Sequence, residues 1–146
     1  MGADDTTSGT TVPGRLEELS PADCWKLLEG RAAGRVAYCN AGEPTVLPVN
    51  YTVRTGSIVF RTRARGRLAD AMNDLTAAFE VDDVDEHLHA GWSVLLVGLA
   101  SWVTDTEELS DLWWDQHQPE PWAAGERNVF VRIVPTKITG RRLLPG

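Results

Sequence analysis

The chain has 146 residues, a length that favours one domain with a single core. Hydrophobic residues make up 42% of it, enough for a globular fold, and a net charge of -7 argues against non-specific nucleic-acid binding as its main business. The longest apolar run, near Trp92 to Val103, is too short and too interrupted to span a bilayer, so no membrane partner is expected.

Residues 1–14 are rich in Asp, Thr, Ser and Gly and carry no apolar periodicity. They read as a disordered tail, leaving 15–146 as one domain. The tail lacks the charged and apolar regions of a secretory signal. Together with two cysteines in apolar patterns, Cys24 and Cys39, read as buried reduced thiols, this gives a cytoplasmic expectation.

Ser20-Pro21-Ala22-Asp23 opens a helix: Ser20 caps it, Pro21 suits its first position, and Gly30 ends it. Gly34 to Cys39 reads as a strand, residues 40–44 as a turn, and Thr45 to Arg54 as a second strand. Pro48 lies inside that strand and costs a ladder hydrogen bond, which predicts a sheet edge or a bulge there. Thr55-Gly56 makes a tight turn into Ser57 to Thr62. Gly66 to Asp74 reads as a short helix, Ala77 to Asp82 as a strand, and Trp92 to Thr104 as a longer one. Thr106 to Gln116 reads as a helix capped by Thr106, followed by a Pro-rich loop over 117–125. The closing strand covers Asn128 to Val134 and Ile138 to Leu143, broken at Pro135. Strands and helices do not alternate regularly, so the expected fold is mainly β: a small antiparallel barrel with peripheral helices.

The segment Arg61-Thr62-Arg63-Ala64-Arg65-Gly66-Arg67 places four of the fourteen basic residues within seven positions. Like charges this close need a counter-anion or full solvation. A strand end, a glycine and several guanidinium forks make a phosphate cradle; the other reading is a solvated basic turn that keeps an edge strand soluble. His87 and His89 follow the acidic run Asp82 to Glu86, but the spacing matches no closed ligand set, so no metal is expected. Trp92 and Ser93 open the long strand, where Trp92 either stacks on a planar ligand or packs in the core. There are six tryptophans. Trp113 and Trp114 are adjacent on the predicted helix and cannot face one direction, so at least one is expected to meet a ligand or a partner subunit. No nucleophile elbow or Walker loop is present, and no catalytic side chain is named.

Several segments converge in order: Gly34-Arg35-Val36-Ala37, Pro48-Val49-Asn50-Tyr51, Phe60-Arg61-Thr62 with Arg67, Phe79-Glu80-Val81-Asp82, Gly91-Trp92-Ser93-Val94 and Gly98-Leu99-Ala100. Their succession, over roughly Leu19 to Arg142, resembles the pyridoxamine phosphate oxidase-like family of flavin-binding split barrels. The resemblance implies a homodimeric split antiparallel β-barrel, FMN at the subunit interface, and FMN-dependent oxidoreductase chemistry on a small-molecule substrate. It implies that Pro48, Val49, Asn50 and Tyr51 lie along the flavin ring, and that Arg61, Thr62 and Arg67 hold the phosphate. Many relatives carry Lys where Arg67 stands. It places Trp92 and Ser93 near the same ligand, with Trp122 approaching from the partner chain. Relatives that bind a deazaflavin cofactor or haem, and a flavin-binding sensor without turnover, are the alternatives. A deazaflavin's long anionic tail would give Arg63 and Arg65 a purpose.

Overall fold

The computed structural model describes residues 13–63, 66–114 and 129–146. In chain order these form β1 (Arg15–Leu19), α1 (Pro21–Glu29), β2 (Ala33–Asn40), β3 (Glu43–Arg54), β4 (Ser57–Thr62), α2 (Arg67–Ala71), β5 (Leu75–Asp85), β6 (Ala90–Trp102), α3 (Thr106–Trp114) and β7 (Val129–Leu144). All strand pairings are antiparallel. The sheet runs β1-β7-β4-β3-β2-β5-β6, and β6 also pairs with β7, which closes it on itself. The fold is thus mainly β, consistent with a split barrel.

Local chemistry explains most of the elements. The Ser20 hydroxyl accepts from the Asp23 N–H at 3.2 Å, and Pro21 occupies the first turn of α1. Cys24 and Leu28 of α1 are wholly buried in the core. Two hairpins turn on left-handed pairs, Ala41 (φ 50) with Gly42 (φ 79) and Thr55 (φ 41) with Gly56 (φ 69), whose twist matches the flanking strands. Along β6, Val94, Leu96, Gly98 and Ala100 point in, while Leu95 and Leu99 point out. Val94, Leu96 and Ala100 join Phe60, Phe79, Met72 and Ile133 in one core. A second cluster, Val59, Val103, Leu112 and Phe130, lies under α3 on the outside of β4 and β7.

Several expectations change. β1 is additional: Arg15 to Leu19 pairs with Leu144 to Gly140 of β7. β7 is unbroken at Pro135 because a register shift absorbs the proline: Val97 faces Lys137 and Gly98 faces Pro135. Thr136 is the extra residue, and its hydroxyl donates to the Val97 carbonyl at 3.2 Å. Pro48 sits in an interior strand with no bulge, paired with Arg35. The ladder between β3 and β4 stops at Tyr51↔Phe60, so among the described residues β3 is paired on one side only at Pro48. The cap of α3 is Asp105, whose Oδ2 accepts from the Glu108 N–H at 3.0 Å; Thr106 is the first helical residue. Cys39 is exposed near the end of the β2–β3 hairpin, whereas Cys24 is buried, where burial raises its thiol pKa. Part of the acidic run is strand, since β5 continues to Asp85. No helix among the described residues is long and apolar enough to cross a membrane. The tail over 1–12 and the Pro-rich loop lie outside the described residues.

Candidate functional site

Strand alternation sorts the candidate residues into two sets. Val49, Tyr51 and Trp92 point inward against the main core. Thr62 is buried and, two residues on from buried Phe60, points the same way. Tyr51 is fully engaged there. Its hydroxyl donates to the Leu28 carbonyl at 2.5 Å, its ring meets Phe79 edge-on at 4.9 Å, and its N–H donates to the Ala32 carbonyl at 3.1 Å. Burial raises its phenol pKa well above the usual tyrosine value.

Pro48, Asn50, Arg61 and Ser93 point outward. Pro48 faces Arg35, whose neighbours Gly34 and Val36 are buried, and Asn50 is two residues further along the same face. Arg61 alternates with the buried Phe60 and Thr62. Its guanidinium lies 4.6 Å from the ring centre of Trp113 and 5.2 Å from that of Phe130. Partial burial lowers its pKa, which still leaves a guanidinium charged near neutral pH. Arg61 and Thr62 therefore project to opposite sides of the sheet, and one anion meets both side chains only at the open end of β4. Arg63 is exposed just beyond it, and Arg67 is exposed at the start of α2. α2 is held by Trp102, whose indole N–H donates to the Ala69 carbonyl at 2.8 Å. Ala64, Arg65 and Trp122 lie outside the described residues.

Between Pro48 and Ser93 the outward wall carries an ionic cluster that sequence reading missed. Arg35 Nη1 donates to Glu80 Oε1 at 2.9 Å and to Asp82 Oδ2 at 3.0 Å. Arg35 pairs with Pro48 on one side and Glu80 on the other, and Asp82 pairs with Ser93. The only local signal was Glu-Val-Asp, two acids flanking an apolar residue at strand spacing. Desolvation first, then Asp82, push the Glu80 carboxyl up to about 7, with Arg35 acting in the opposite direction. The unfolded chain then binds fewer protons than the folded one between roughly pH 4.3 and 7. Stability is expected to fall as pH rises through that window, and Glu80→Gln should flatten the fall. Urea midpoints at pH 5 and 7.5 measure it; equal pH slopes in the two proteins would refute the assignment.

Beyond Ser93 the wall dips into two adjoining hollows of about 450 and 590 Å³. Leu16, Ser93 and Arg141 line both. Arg141 faces Ser93 on one side and Glu18 on the other. The first hollow has Leu16, Val84 and Leu143 around Gly91 and Trp92, with Asp85, Glu86 and His89 also on its lining. His87 is exposed in the β5–β6 turn, and among the described residues no three metal-ligating side chains come together.

Residues 20–142 match the protein family described as Pyridoxamine 5'-phosphate oxidase. The chain belongs to that family. The chain is similar to the uncharacterized protein Rv0080 of Mycobacterium tuberculosis, at 32% identity over 87% of this chain and 85% of that one. The FAD binding protein from Mycobacterium smegmatis superposes with a TM-score of 0.68 at 31% identity, covering 88% of this chain and 98% of that chain. A putative pyridoxamine 5'-phosphate oxidase from Corynebacterium glutamicum gives 0.76 at 29% identity, over 94% and 98% of the two chains. The family match spans every element from α1 to most of β7, and so takes in the whole outward wall except β1.

Proposed function

We propose that this chain binds a flavin nucleotide on its outward wall and works as an oxidoreductase. The observation that carries the reading is Arg61, a half-buried guanidinium whose carbon lies over two rings, on the same face as Pro48 and Asn50. The residues present fit such a group. Arg61 and Arg67 supply charge-assisted donors for a phosphate. Pro48 and Val49 lie on a stretch of β3 paired on one side only among the described residues, which offers backbone to a flat ring. When bound, a flavin supplies hydride or electron transfer; the protein anchors, orients and tunes it.

FMN is the cofactor of first choice, since its single phosphate matches one arginine cluster. FAD is the second reading, favoured by the 31% identity to a protein described as FAD binding. The working form we propose is a homodimer with a small-molecule substrate. Leu95, Leu99 and Val134 are exposed together on the outward face, with Leu99 paired to Val134. Ser93 lies four strands from Arg61, roughly 19 Å around the wall at a 4.8 Å spacing. In the dimer, the partner copy brings its own Ser93 to the ligand held at Arg61.

The purified protein is expected to be yellow or to bind FMN on titration, and to have about twice the 16.0 kDa chain mass in solution. Turnover of a panel of quinones and nitro compounds with a reduced nicotinamide tests the enzyme. A colourless protein that binds neither FMN nor FAD, and takes a deazaflavin or haem instead, overturns the cofactor assignment.

A further inference from the structure

We infer that Trp113, at the last turn of α3, is a positioning residue for the anion site: with Phe130 it orients the Arg61 guanidinium so that its in-plane N–H groups meet a phosphate. This rests on the flavin-nucleotide reading above.

Arg61 sits on the outside of β4, where Phe130 of β7 is its cross-strand neighbour. Phe130 and Trp113 meet edge-to-face, with ring centres 6.2 Å apart and planes at 79°. The guanidinium carbon lies over both rings, at 4.6 Å from Trp113 and 5.2 Å from Phe130. A cation held against two π faces loses much of its rotamer freedom and part of its hydration before any ligand arrives. Its donors lie in the guanidinium plane, and because the two rings are inclined at 79° that plane lies flat on at most one of them. A lysine has no such plane, so the arrangement selects arginine.

The helix that carries Trp113 is fixed at both ends. Arg132 of β7 bonds Glu108 near the start of α3, and Leu109 and Leu112 pack on Val59 and Phe130. The backbone that carries Trp113 is therefore held against the sheet. Trp113 is 46% exposed with the Arg61 guanidinium over its ring, whereas Trp114 is 82% exposed. The tryptophan pair thus divides its work, and only the first of the two reaches the cluster.

The test uses flavin-free full-length protein titrated with FMN and with riboflavin, which lacks the phosphate. Trp113→Leu keeps apolar bulk and removes the π face. It is expected to weaken FMN binding roughly three- to tenfold, the size of a partly desolvated cation–π contact, with riboflavin binding unchanged. Trp113→Phe should restore FMN affinity to within about twofold, which simple loss of packing would not explain. Equal FMN affinity in wild type and Trp113→Leu would overturn the inference while leaving the flavin reading in place. Parallel loss of FMN and riboflavin would also overturn it, showing a structural role. Failure of the wild type to bind FMN would overturn both.

Discussion

Arg61→Ala is expected to weaken FMN binding about ten- to a hundredfold, from the loss of roughly 1.5–3 kcal/mol of charge-assisted hydrogen bonding. The effect should exceed that of Arg67→Ala. Both residues carry the same charge, but Arg67 is exposed at the start of α2, while Arg61 is half-buried against Trp113 and Phe130. Solvent screens an exposed cation and leaves its side chain free to wander, so it delivers less to a ligand. Arg61→Lys should fall between wild type and Arg61→Ala, because an ammonium keeps the charge and loses the planar fork. Calorimetric titration with FMN, with a thermal melt of each variant to confirm folding, reads the result. If Arg61→Ala binds FMN as wild type does, the phosphate is elsewhere and the outward wall loses its anchor.

Gly98→Ala is expected to destabilise the fold by about 2–3 kcal/mol, at the upper part of the usual cost of overpacking. A Cβ at Gly98 would lie 2.6 Å from the Pro135 Cα and 2.7 Å from the Val134 carbonyl carbon, and would strike the Val134 oxygen. These are backbone atoms of the paired strand, so no rotamer change relieves the clash. The position is where the β6–β7 register shifts, and the close approach there is what lets Pro135 stay in the ladder. Urea unfolding measures the loss. A midpoint equal to that of wild type would mean that the shift can move to another residue.

Features set by neighbouring residues were legible in the chain. The α1 start is written in Ser20, Pro21 and Asp23, and the hairpin turns in Ala41-Gly42 and Thr55-Gly56. The basic cluster was visible too, but its geometry was only half legible. Alternation says that Arg61 and Thr62 face opposite ways; which one faces out depends on Phe60 finding the core. The Arg35–Glu80 contact joins residues 45 apart in sequence, and only strand register reveals it. The stacking of Arg61 under Trp113 depends likewise on where α3 lands on β4 and β7. Pro135 misled in the other direction: local chemistry demands a break, but a bulge with Gly98 opposite removes the need for one. β1 carried too short an apolar pattern to declare itself, and it exists because β7 offers it an edge.

β7 pairs with β1, β4 and β6, so one late segment completes ladders begun by three earlier ones. During synthesis β4 and β6 must wait with open edges until it emerges. Such long-range closure slows folding relative to a chain of local hairpins. It also gives a nascent polypeptide time for wrong partnerships through those unpaired rims, a hazard that the finished barrel no longer carries.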